Sequence, residues 1–196
     1  GTTGPTASPV EIACRVVAGH PPVADRLPAI DRRIGIDRSP IDLSDPDDAR
    51  WLLACVWPDT GRLARTAASI RLARDDPPPV IAGDAIDTLP RVLAGLPKAH
   101  PVVVMTTSAA GYFSIEQRRR FVSVLEADSA GRPLAWLSAE TNGVVEALVD
   151  AVPDDHELPD CDVLGATTFS GGTGRAHLLG FVHKHGAWMN WTGASP

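Results

Sequence analysis

The chain has no apolar run approaching the ~20 residues that a membrane-crossing helix needs. No charged stretch leads into an apolar core at its start, so no export signal is legible. Cysteine is scarce. Cys14, Cys55 and Cys161 are odd in number, far apart and without a C-x-x-C pair, which argues against a disulfide framework or a structural zinc site. A reduced, cytoplasmic setting follows as the expectation. Positive charge is also short: 18 Lys and Arg against 24 Asp and Glu give a net charge of −6 and a pI near 5.4. That balance argues against nucleic acid as the main partner. Neither G-x-G-x-x-G nor G-x-x-x-x-G-K-[ST] occurs, so no dinucleotide or triphosphate cradle is written in the chain.

What remains is 44% apolar and 21% charged over 196 residues, enough to bury a core as one ordinary domain. We expect one domain over residues 1–196 and a small-molecule ligand, with no nucleic-acid and no membrane partner; a homo-oligomer stays open. The chain opens on Gly1, and residues 1–9 form a loose Gly/Thr/Ser/Pro stretch, which suggests a fragment or a shortened form.

Four apolar segments each run into a short polar or acidic one. Ile34-Gly35-Ile36 leads into Asp37, and Val80-Ile81-Ala82 leads through Gly83 into Asp84. Val102 to Met105 leads into Thr106-Thr107-Ser108, and Leu134 to Leu137 leads into Ser138-Ala139-Glu140. Helical spacing lies between them. Asp45-Pro46-Asp47-Asp48 is a helix start, with an Asp cap, Pro in the first turn and acids at the positive end. That helix should bury Ala49, Leu52, Leu53 and Val56 and stop at Pro58, with another starting at Asp59 or Thr60 and running to about Arg74. Ser114 to Gln117 matches a capping box for a helix from Ile115 to about Ala127. Val10 to Val17 reads as a strand, and Cys161 to Phe169 with His177 to His183 as a hairpin. The alternation predicts an α/β, Rossmann-like fold: a mostly parallel sheet flanked by helices, with an antiparallel C-terminal hairpin. Ligands of such sheets bind at the carboxyl ends of the strands.

The chemistry-bearing residues therefore sit at those ends. Asp37 could accept both hydroxyls of a ribose, or simply close a turn with Ser39-Pro40. Asp84, beside Gly83, could meet a purine amine, although a helix cap is the leading reading. Thr106, Thr107 and Ser108 are small enough to let a ligand lie against backbone, and Tyr112 could add a hydroxyl or a stacking face. No His or Lys lies next to Ser108 to activate it as a nucleophile. Glu140 reads as a general base or, more simply, a solvated loop acid. His183 and His185 would make half of a metal site, but no third ligand has suitable spacing, so no metal is expected. Ser170 to Arg175 reads as a hairpin loop, and the five tryptophans as packing.

Several blocks resemble an uncharacterised, mainly actinobacterial family, a domain of unknown function with a class I methyltransferase-like core. They are R-I-G-I-D-R-S-P-I-D at Arg33–Asp42, D-A-R-W-L-L-A-C-V-W-P-D at Asp48–Asp59, G-D-A-I-D-T-L-P at Gly83–Pro90, R-P-L-A-W-L-S at Arg132–Ser138 and H-G-A-W-M-N-W at His185–Trp191. The chain is similar to the carboxyl-terminal part of such members and lacks their glycine-containing segment. The resemblance implies S-adenosylmethionine as cofactor, with Asp37 at its ribose, Asp84 near its adenine and Thr106 to Ser108 along the reaction centre. Ser108, Tyr112 and Glu140 are the catalytic candidates. Members carry His-Ser where this chain has Thr107-Ser108, which weighs against catalysis at that point. The expected function is methyl transfer to an unknown small acceptor. The rival is a non-catalytic ligand- or protein-binding domain that keeps the fold.

Overall fold

A computed structural model describes residues 2–57, 61–153 and 160–193. The chain forms two compact units. The first takes the residues through Ile12 and Val23–Thr88, and the second takes Ala13–Pro22 and everything from Leu89 onward.

In the first unit β2 (Gly35–Asp37) pairs in parallel with β3 (Val80–Ala82), with Gly35 opposite Val80 and Asp37 opposite Ala82. Between them run α1 (Pro46–Ala54) and α2 (Arg62–Asp75). The Asp45 side chain accepts the Asp47 amide at 2.7 Å, and Pro46 opens the helix, as the sequence signal required. Only Ala49 of the expected α1 stripe is fully buried; Leu52, Leu53 and Val56 are half-buried. On α2, Ala68 and Ile70 are buried while Leu63 is 41% exposed. The expected stop and start at Pro58, Asp59 and Thr60 lie outside the described residues. Helix α3 (Ala85–Ala94) begins at the end of this unit and continues into the second.

The second unit is built on a six-stranded sheet in the order β1-β8-β7-β6-β5-β4. Its strands are β1 (Arg15–Ala18), β4 (Val102–Thr107), β5 (Leu134–Glu140), β6 (Cys161–Ser170), β7 (Thr173–His183) and β8 (Trp188–Trp191). Helix α4 (Ile115–Ser129) links β4 to β5, which pair in parallel, and β1 pairs in parallel with β8. The other three pairings, β5–β6, β6–β7 and β7–β8, are antiparallel. The predicted hairpin of β6 and β7 is present. A mostly parallel, Rossmann-like sheet is not: the sheet is mixed and largely antiparallel, and the four polar strand ends are divided over two sheets. Strand composition carries the alternation of faces but not the partner or its direction, so the sequence pattern overstated the parallel part.

The core of this unit lies on one face. Strand β5 alternates strictly, burying Leu134, Trp136, Ser138 and Glu140, and α4 places Phe121 and Leu125 over them. Phe121 meets Trp136 edge-on at 5.1 Å between ring centroids. The α4 start is a full capping box, with Ser114 Oγ accepting the Gln117 amide and Gln117 Oε1 accepting the Ser114 amide. On the opposite face of β4, Val103 and Met105 are exposed. The register of β6 against β7 slips after Leu164. Gly180 sits at that bulge with φ +144°, and a Cβ there would stand 2.0 Å from the Asn190 carbonyl oxygen.

Candidate functional site

Two acids stand just past the carboxyl ends of the neighbouring strands β2 and β3. Asp37 ends β2 opposite Ala82, the Gly83 amide donates to the Asp37 carbonyl at 2.8 Å, and Asp84 follows Gly83. Asp37 is exposed and its Oδ1 accepts the Ser39 amide at 2.8 Å, the turn-closing role. Asp84 is half-buried, and its Oδ1 accepts the Ile86 amide at 2.9 Å as the cap of α3. The second oxygen of each carboxylate has no hydrogen bond among the described residues. Only glycine fits at position 83, because a Cβ would lie 2.4 Å from Thr88 Oγ1.

The remaining sequence candidates are in the second unit. Thr106 is buried, and its Oγ1 accepts the Trp136 indole N–H at 3.0 Å, so this hydroxyl serves the core. Thr107 and Ser108 are exposed at the end of β4. Ser108 is a non-glycine residue at φ +50°, a conformation that surrounding contacts must hold. Those contacts are its amide donating to the Ala139 carbonyl at 2.9 Å and its Oγ donating to Asp162 Oδ2 at 3.1 Å. Asp162 is buried at the start of β6, and Thr141 Oγ1 donates to its other oxygen at 3.5 Å. Nothing near Ser108 in sequence announces Asp162, which comes from 54 residues further on.

Glu140 is not a solvated acid. Its side chain is 1% exposed. Oε1 accepts the amides of Ala109 and Ala110 at 3.1 Å each, and Oε2 accepts the amide of Gly111 at 3.2 Å. Three successive amides of one turn thus meet a single carboxylate, which offsets the cost of burying its charge. The carbonyl side of the same turn is held by Arg118 of α4. Its Nε donates to Ala110 O and Nη2 to Gly111 O, both at 3.2 Å, while Nη1 donates to Gly143 O at 3.5 Å. Glu140 and Arg118 together clamp the turn that carries Ser108 and Tyr112. The Tyr112 side chain itself is 89% exposed.

Cys161 stands next to Asp162. Partial burial pushes its thiol above the usual range, the Asp162 carboxylate pushes it further, and Lys184 works against both. The thiolate needed for alkylation therefore forms only at higher pH than in an ordinary cysteine. Iodoacetamide should modify Cys161 more slowly than a free thiol near neutral pH, with a rate still climbing above pH ~8.5. A plateau below that pH, read by peptide mass spectrometry, would contradict the assignment.

His183 Nδ1 accepts the His185 amide at 3.1 Å, so the pair shapes a turn. Among the described residues no three His, Cys, Asp or Glu side chains gather as a metal-ligating group, and no helix is long and apolar enough to cross a membrane. No curated protein and no solved structure matches the chain. A family described as uncharacterised proteins conserved in bacteria (DUF2332) matches over residues 1–191, and the chain belongs to that family.

Proposed function

We propose that the protein is a methyltransferase-like domain that takes S-adenosylmethionine and acts on a small acceptor. The observation that supports this most is the pair Asp37 and Asp84 at the carboxyl ends of neighbouring parallel strands, each with one carboxylate oxygen unused. Asp37 would accept from the ribose hydroxyls and Asp84 from the adenine amine, the two donor groups of an adenosine. The bound cofactor would supply an electrophilic methyl group. The protein's part in such chemistry is to hold and orient the reactants and to exclude water. In the second unit Ser108, which donates to Asp162 Oδ2 at 3.1 Å, is a separate candidate for ligand contact at the end of β4. Glu140 acts through the turn it holds and is a positioning residue.

Calorimetric and thermal-shift titrations with S-adenosylmethionine and its homocysteine product test this. Binding is expected, and Asp37→Ala should weaken it about tenfold or more, the loss of hydrogen bonds to a charged acceptor. An unchanged affinity in Asp37→Ala would take that residue out of the site. Silence with both compounds would leave the rival reading, a non-catalytic ligand- or protein-binding domain. That rival is favoured by the local roles both aspartates already fill, as turn closer and helix cap.

A further inference from the structure

The second unit also holds a cavity of about 640 Å³ on the covered face of the sheet, between α4, the segment around Gly143 to Ala147, and strands β5 to β7. That volume is in the usual range for a small-molecule pocket and too small for a folded partner. Its walls are aromatic: Phe113, Phe121, Trp136 and Phe169 all line it. Phe121 stands 6.0 Å from Phe113 and 5.1 Å from Trp136 between ring centroids, so three rings form a continuous surface. The Trp136 N–H is already donated to Thr106, so the indole offers a ligand its ring and no hydrogen bond.

Charge is confined to four side chains, and three of them are engaged. Arg118 is spent on three backbone carbonyls. Arg119 on α4 and Glu146 face each other at 3.4 Å as an exposed ion pair. Glu126 also lines the cavity, and its carboxylate has no ion-pair or hydrogen-bond partner among the described residues. Arg119, Ser123 and Glu126 recur at spacings of four and three, so they share one edge of α4. Glu126 is then about 10 Å along the helix axis from Arg119, clear of that pair.

We propose that this cavity binds a protonated arylalkylamine, its ring system seated among Phe113, Phe121, Trp136 and Phe169 and its ammonium directed to Glu126. The aromatic faces attract both the apolar ring and the cation, and the one unanswered charge in the lining is negative. An aromatic carboxylate would set its charge against Glu126, with both arginines already occupied.

Three probes sharing one ring system separate the contributions: naphthylmethylamine, methylnaphthalene and naphthoate, titrated into the full chain. The methyl NMR signals of Val122, Val144 and Val145, which line the cavity, report occupancy. The amine is expected to bind about tenfold or more tighter than naphthoate, the size of one charge-assisted contact. Glu126→Gln, a conservative change on the helix edge, should bring the amine down to the level of methylnaphthalene. Ala176→Leu, which fills the floor from β7, should weaken all three. The inference is overturned if no probe shifts those methyls, if naphthoate binds as tightly as the amine, or if Glu126→Gln leaves the preference intact. It does not depend on the methyltransferase reading, and a failure of either leaves the other standing.

Discussion

Glu140→Ala is expected to destabilise the second unit by about 3–5 kcal/mol, the cost of stripping a buried charge site of its partner. The carboxylate is 1% exposed and is the acceptor for the Ala109, Ala110 and Gly111 amides. Alanine leaves these donors without an acceptor and adds a void where the side chain stood. The buried Ala110 amide, once orphaned, costs about 1–3 kcal/mol by itself. Glu140→Gln should cost less, because one amide oxygen can still accept, but its NH2 must then face at least one backbone N–H. Urea unfolding followed by tryptophan fluorescence measures both. A loss below about 1 kcal/mol for alanine would show that solvent replaces the carboxylate, and the clamp on the turn would have to be given up.

The second large effect concerns Arg132, whose side chain is fully buried beside Asp128 at 8% exposure. Nε and Oδ2 lie 2.8 Å apart, close enough for a strong ion pair but not aligned as a hydrogen bond. The aligned contacts are Nη2 to the Leu93 carbonyl at 2.7 Å, Nη1 to the Pro97 carbonyl at 3.1 Å and Nη2 to Asp128 Oδ1 at 3.3 Å. Lys98 adds a bond of 2.5 Å to Asp128 Oδ1 from a half-exposed position. Asp128→Ala should therefore cost about 3–5 kcal/mol, because it strands a buried guanidinium. Arg132→Met should cost less, since Lys98 still answers Asp128, although the two carbonyls lose their donors. Combining Arg132→Met with Asp128→Ala is expected to recover much of the loss, since no buried unpaired charge remains. Strict additivity of the two single losses would argue that the pair is not coupled.

How well the sequence foretold these features depended on where the deciding interaction lies. Helix α1 was legible from Asp45-Pro46 and α4 from Ser114 and Gln117, because a cap involves residues two or three apart. Strand β3 was legible because Pro77 to Pro79 and Gly83 punctuate it on both sides. The direction of pairing was not, since β5 accepts a parallel neighbour on one edge and an antiparallel one on the other with the same seven residues. Strand β8 was missed: Trp188 to Trp191 is short and aromatic, and what makes it a strand is its place between β7 and β1. Among the site candidates, Asp37 and Asp84 do sit at neighbouring strand ends, and their local roles as turn closer and cap were also foreseen. Glu140 was misjudged because its partners are backbone amides, which every sequence possesses. Asp162 and Arg118 went unnoticed for a related reason. Their contacts, with a hydroxyl 54 residues away and with carbonyls up to 25 residues away, leave no periodic trace.

The pairing of Arg15 with Trp188 joins the two extremes of the described chain. During synthesis β1 must wait, unpaired, until Trp188 to Trp191 have left the ribosome. Its two valines, Val16 and Val17, remain about half exposed even when docked, so they add little to hold it in place. Closure over so long a stretch is slow and comes late on entropic grounds. Nascent molecules halted before Trp188 would thus carry a bare β7 margin, open to strand exchange with a neighbouring copy.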